Sequence, residues 1–229
     1  MADTGHRVVL VAGASGALGQ AVAERFRDDG WTVAGLARPD SLDRIPAGVT
    51  RIACDLRVTA EVQAAAAQVA SLGRLTALVV ASGGFATGRA VDLTDEQIHD
   101  QLELNLLGPW RIARAAAAAM RAGGAGGSIV VTLSRASVEV TSGAAAYQVT
   151  KAGGARLVEV MARELRSDGI RVNAVLPSVI DTPSNRESMG EANSEKWVPA
   201  PRIATLIAWL CSGDAGDISG ALVPVYGRA

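Results

Sequence analysis

Seven short apolar runs punctuate the chain, at 7–12, 31–37, 50–53, 77–81, 128–133, 170–176 and 221–225. Each is near-continuous in Val, Ile, Leu and Ala rather than alternating with polar residues, which suits strands buried on both faces of a parallel sheet. Segments of helical period lie between them. Leu18, Val22 and Phe26 form one apolar stripe that ends near Gly30. Thr59 stands where it can cap a second helix carrying Val62, Val69 and Leu72. Thr94 and Gln97 have capping-box spacing and open a helix read to about Met120. Further helices are expected over 146–166 and 203–211. This alternation predicts one doubly wound α/β domain over residues 1–229, a seven-stranded parallel sheet with helices on both faces. The stretch 183–201 has no clear period, and its length suits a substrate lid better than a plain connection.

Composition excludes several classes. Twenty-two basic residues face 23 acidic ones, and a net charge of −1 leaves no electrostatic footprint for nucleic acid or an anionic membrane. The two cysteines, Cys54 and Cys211, are too few for a disulfide scaffold. No window of about 18 apolar residues is present, and the polar start at 1–7 does not read as a signal peptide, so a cytoplasmic protein is expected. His6 and His99 lack ligand spacing to cysteines or acids, so no metal site is expected.

Directly after the first run comes Gly13-Ala14-Ser15-Gly16-Ala17-Leu18-Gly19. A strand that enters a glycine turn and then a helix is the setting in which backbone N–H groups and a helix N-terminus hold a pyrophosphate. Gly13, Ser15, Gly16, Ala17, Leu18 and Gly19 are therefore candidate dinucleotide-binding residues in a Rossmann-type unit. In such a unit an acid at the end of the second strand binds the adenosine ribose hydroxyls. Here that position is Ala37, and Arg38 follows with a planar fork that suits a phosphate. Ser15 and Ser41 could add neutral hydrogen bonds. The expected cofactor is NADP(H) rather than NAD(H).

Tyr147 and Lys151 are four apart and share one helix face. A phenol titrates near 10, and a neighbouring ammonium favours the phenolate, so the pair suits proton transfer to a carbonyl that accepts hydride. Only two Tyr and two Lys occur in the chain, which makes the spacing hard to attribute to chance.

With Tyr147-x-x-x-Lys151, the sequence resembles the short-chain dehydrogenase/reductase family over nearly its whole length. Ser134 stands 13 residues before Tyr147, where the family places its catalytic serine, and Asn105 matches the family's helix asparagine. The resemblance implies roles. Tyr147 donates the proton, Lys151 lowers its pKa and holds the nicotinamide ribose, Ser134 binds the substrate oxygen, and Asn105 holds a water of the proton relay. It also implies cofactor contacts at Asp55 and Leu56, at Ser82 and Gly83, and at Pro177 and Thr182. The family commonly pairs its two long helices between subunits. The apolar residues on more than one side of 96–120 and 146–166 fit that, so a homodimer or homotetramer is expected.

A local likeness to dihydropteridine reductases lies in the glycine turn, in Gly83-Gly84-Phe85, and in Asp181-Thr182-Pro183, Asn185-Arg186, Ser188-Met189 and Trp197. Those enzymes lack the serine that Ser134 supplies, and they carry an acid where this chain has Ala37. The leading expectation is therefore reduction of a ketone or oxo substrate. A pterin reductase and a dinucleotide sensor without turnover are the alternatives. The retained Ser134–Tyr147–Lys151 set argues against a sensor.

Overall fold

The computed structural model describes residues 7–228, and the polar start with His6 lies outside them. Seven strands form one parallel sheet: β1 (Arg7–Ala12), β2 (Thr32–Ala37), β3 (Thr50–Ala53), β4 (Arg74–Val80), β5 (Gly127–Thr132), β6 (Ile170–Pro177) and a last edge strand over Leu222–Val225. Their spatial order is β3-β2-β1-β4-β5-β6 and then that last strand. The expected doubly wound, Rossmann-type sheet is what forms. Each run expected as a strand lies within two residues of one, except that β4 begins earlier, at Arg74.

Helices cover both faces. Helices α1 (Ala17–Asp28) and α7 (Ala200–Cys211) bury Val22, Phe26, Ile203 and Ile207 against Val9, Val11 and Val79. On the other face, α2 (Thr59–Ala70), α4 (Gly108–Ala122) and α5 (Ala145–Glu164) bury Val62, Ile112, Met120 and Val158 against Leu10, Leu78 and Ile129. The order in which successive strands add to the sheet reverses between β1 and β4. The crevice outside the carboxyl ends of the strands at such a switch point is where open α/β sheets bind ligands.

Three expectations need correction. Thr59 does not cap α2; Val58 is the capping position, without a side-chain bond, and Glu61 instead accepts the Asp55 backbone N–H at 2.7 Å. The helix expected over 96–120 is two helices. Helix α3 (Asp95–Leu102) does open on the Thr94–Gln97 capping box, but a five-residue wide turn over Glu103–Leu107 separates it from α4. Pro109 has no N–H to return to the Asn105 carbonyl, so the four-residue helical bond cannot form there. The inner face is consequently polar at this point, with Gln101 and Asn105 buried while Ile98 and Leu104 are exposed. Finally, the absence of a clear period over 183–201, the expected substrate lid, does not mean an absence of secondary structure. The segment holds α6 (Pro183–Met189) and returns through β8 (Val198–Pro199), which pairs with β7 (Ile180–Asp181). The last sheet strand is then β9. Arg186 fastens α6 to β7 through two bonds to the Asp181 carboxylate, at 2.7 and 2.9 Å.

Candidate active site

The glycine turn is shaped by close approach. Gly13 has φ +86°, and a Cβ there would lie 2.7 Å from the Ser82 backbone nitrogen. A Cβ on Gly19 would fall 2.0 Å from the Gly13 carbonyl oxygen, so α1 can start this close to β1 only with glycine. The Gly13 and Ala14 N–H groups both donate to the Leu36 carbonyl at 3.0 Å, which locks the turn onto β2. Gly16 caps α1 without any side-chain bond, so the first N–H groups of the helix have no side-chain cap.

A cleft of about 520 Å³ runs along this edge. Gly13, Ser15, Gly16, Ala37, Arg38, Asp55, Leu56, Ser82 and Gly83 all line it, as expected. Ala17, Leu18 and Gly19 do not; they form the first turn of α1, and Leu18 is buried against the sheet. Pro177 and Thr182 lie outside its lining as well. Thr182 uses its hydroxyl to cap α6, accepting from the Asn185 N–H at 3.1 Å. Sequence reasoning missed Ser41's neighbour Arg44, together with Arg57 and Gln101, which also line the cleft. A signal for Arg44 was present. A 3₁₀ helix over Pro39–Arg44 follows Arg38, and with three residues per turn 38, 41 and 44 share one face.

The cleft suits a dinucleotide. Its lining holds the capping glycine of α1 and the side chains of Arg38, Arg44 and Arg57, beside the carboxylates of Asp55, Asp100 and Glu103. The Ser82 hydroxyl in its lining is buried without a hydrogen-bond partner. An orphaned hydroxyl of this kind costs free energy unless a ligand or water satisfies it. Asp55 is held well below the usual carboxylate range by its bonds with Arg57, the shortest at 2.6 Å.

Next to the cleft, β5 ends at Thr132 and is followed by Leu133 and Ser134, and α5 presents Tyr147 and Lys151. The Ser134 hydroxyl accepts the Ala136 N–H at 3.2 Å. Burial pushes the Tyr147 phenol up, and a hydrogen bond with Ser134 pulls the other way. Lys151 is fully buried, with Nζ 3.3 Å from the Thr132 carbonyl oxygen and 5.8 Å from the centre of the Tyr147 ring. Burial pushes its ammonium down to about 8. The expected downward pull of Lys151 on Tyr147 does not contribute here; burial and the Ser134 hydrogen bond set the phenol's shift, and burial is the larger.

Asn105 joins this group through backbone rather than through a reacting atom. Its amide donates to the Gly84 carbonyl at 2.9 Å and accepts the Gly84 N–H at 3.0 Å, while Gln101 accepts from it at 3.0 Å. A Cβ on Gly83 would meet Asn105 Oδ1 at 2.9 Å and Lys151 Nζ at 3.1 Å. Gly83 thus lets the loop after β4 pass between the asparagine and the lysine. The structure brings Ser134, Tyr147, Lys151 and Asn105 together at the carboxyl edge of the sheet.

Fold and site define a dinucleotide-binding oxidoreductase, and the comparisons agree. Residues 13–227 match the family model described as enoyl-(acyl carrier protein) reductase. The chain belongs to the short-chain dehydrogenase/reductase family, whose members use a nicotinamide dinucleotide. It is 34% identical over 189 residues to an uncharacterized NAD-dependent oxidoreductase of Mycobacterium tuberculosis, covering 75% of this chain and 69% of that one. It is 30% identical to the 3-oxoacyl-(acyl-carrier-protein) reductase MabA of Mycobacterium bovis, covering 96% of this chain and 92% of the relative. Among solved structures, a Serratia marcescens short-chain dehydrogenase/reductase mutant superposes with a TM-score of 0.89 at 27% identity, covering 97% of each chain.

Proposed function

We propose that this chain is an NADP(H)-dependent reductase of ketone substrates with Tyr147 as proton donor. The observation that supports this best is the convergence of Ser134, Tyr147 and Lys151 beside a cleft that suits a dinucleotide. The bound cofactor supplies the hydride. Ser134 accepts the Ala136 N–H and shares a hydrogen bond with Tyr147, so its hydroxyl stands where it can turn its proton to the substrate oxygen. Tyr147 gives its proton to the same oxygen as negative charge develops there. The burial that raises its pKa keeps it protonated and ready to donate. The Lys151 ammonium, positive below about pH 8, steadies the phenolate left behind. Asn105 is assigned the water through which the proton is replaced. It also holds Gly84 and so fixes the loop beside the site.

Cofactor choice rests on Ala37, Arg38 and the 3₁₀ helix that follows. No carboxylate stands at the end of β2 to repel a 2′-phosphate. Arg38, Ser41 and Arg44 share one face, and all three line the cleft. Arg38 has a long contact to Asp40, 3.7 Å between two mostly exposed groups, and a weaker electrostatic interaction with Asp55, so it is available to a stronger anion. One relative is named as NAD-dependent, which makes these residues the deciding feature.

Retention of Ser134 favours a carbonyl over a pterin substrate. The test is oxidation of NADPH and NADH in the presence of ketones, quinones, oxoacyl thioesters and quinonoid dihydropterins. Turnover of ketones with NADPH is the expected result. Activity confined to dihydropterins, or none with any of these, contradicts the reading.

A further inference from the structure

We infer that Phe85 is a specificity-determining residue that selects ketones carrying a planar apolar group, such as an aryl ring, beside the carbonyl. The inference rests on the ketone-reductase reading and names its substrate class. The Phe85 ring lies T-shaped against the Tyr147 ring, with centroids 5.0 Å apart and planes at 76°. It is nevertheless 66% exposed. A large apolar ring left this open beside the proton donor is a surface that a substrate can cover.

Its position is not that of a free loop tip. Asn105 holds the preceding residue, Gly84, through both backbone groups. Beyond Phe85, the Gly88 N–H donates to the Gly143 carbonyl at 2.8 Å, and the Ala145 N–H donates to the Gly88 carbonyl at 3.1 Å. The loop is thus tied at both ends, once to the helix asparagine and once to the segment that leads into Tyr147. A ring held in this way offers a fixed face to a planar group at small entropic cost.

Other exposed apolar side chains lie on segments that flank the site residues in sequence. Val91 on the same loop is exposed, and so are Val138 and Val140 between Ser134 and Tyr147, and Met189 on α6.

Acetophenone and cyclohexyl methyl ketone carry rings of similar size, one flat and aromatic and one puckered. Their kcat/KM values with NADPH are to be compared for wild type, Phe85→Leu and Phe85→Trp. An aromatic pair predicts a wild-type preference for acetophenone of about threefold to tenfold, expressed in KM. Phe85→Leu keeps an apolar cover but no plane, and should bring the ratio to about one; Phe85→Trp should keep it. A wild-type ratio near one overturns the inference while leaving ketone reduction intact. So does a Phe85→Leu variant that slows both ketones equally, because Phe85 would then act only as a cover for Tyr147. No turnover of either ketone by wild type overturns the ketone-reductase reading, and this inference with it.

Discussion

At the scale of single residues, the site is governed by desolvation and by exposed charge placed where an anion can reach it. Lys151 shows the first. Its folded value of about 8 lies below the ordinary 10.5, so the folded chain binds fewer protons than the unfolded one between those values. The penalty of burying the cation is fully present below about pH 8 and disappears as pH rises toward 10.5. Lys151→Met should therefore stabilise the cofactor-free protein at pH 7 by roughly 3 kcal/mol, and the gain should vanish near pH 10.5. Chemical denaturation of both proteins at the two pH values checks this. A stability gap that does not change with pH would contradict it. Arg38 shows the second effect. Replacing Ala37 by Asp and Arg38 by Ala together should turn a preference for NADPH into one for NADH. Each lost charge-assisted contact is worth about 1.5–3 kcal/mol, or one to two powers of ten. The measurement is kcat/KM with both cofactors, and a wild type that already prefers NADH would contradict the assignment.

At the scale of elements, the informative feature is the broken helix between α3 and α4. A regular helix would have continued the Ile98–Leu102–Leu106 stripe inward. The wide turn before Pro109 rephases it, so that Gln101 and Asn105 face in and meet the Gly84 backbone. Asn105→Ala leaves both Gly84 backbone groups and the Gln101 amide without this partner. It should cost about 1–3 kcal/mol, read as a lower urea midpoint with an unchanged slope. An unaltered midpoint would show that the loop does not depend on the asparagine. This element also shows where sequence reading stops. The strands were legible because double burial leaves unbroken Val, Ile, Leu and Ala runs, and the glycine turn because its spacing is local. The pair Tyr147–Lys151 was legible for the same reason. Ser134 and Asn105 could be assigned roles only by resemblance, since nothing in their own neighbourhood shows which side chains they meet. The Gly108-Pro109 pair was a visible sign of the break, but its consequence depends on a loop more than 20 residues earlier. The short elements within 183–201 escaped because they are too brief to carry a period, and their order comes from contacts such as Arg186 with Asp181.

At the scale of the whole molecule, the sheet positions the chemistry and the outer helices leave apolar surface uncovered. Helix α5 buries Ala155, Val158 and Ala162 against the sheet and exposes Val149 and Val160. Trp110 on α4 and Leu104 in the wide turn are exposed as well. Two adjoining helices with apolar residues facing outward fit a second copy of the chain, in line with the assemblies that members of this family often form. Light scattering at micromolar concentration should give two or four times the chain mass of 23.4 kDa, and Trp110→Arg should shift the population toward monomer. A wild-type monomer mass would contradict this packing.

The proposed delivery of the proton by Tyr147 in a hydride-driven carbonyl reduction is open to a direct comparison of two proteins. Tyr147→Phe removes only the phenolic oxygen and keeps the ring that packs against Phe85. NADPH affinity, followed by cofactor fluorescence, should stay near the wild-type value, while kcat for ketone reduction should fall by about 10²–10⁴-fold, the usual loss when a general acid is deleted. A variant that binds NADPH and still turns over at close to the wild-type rate would contradict the account.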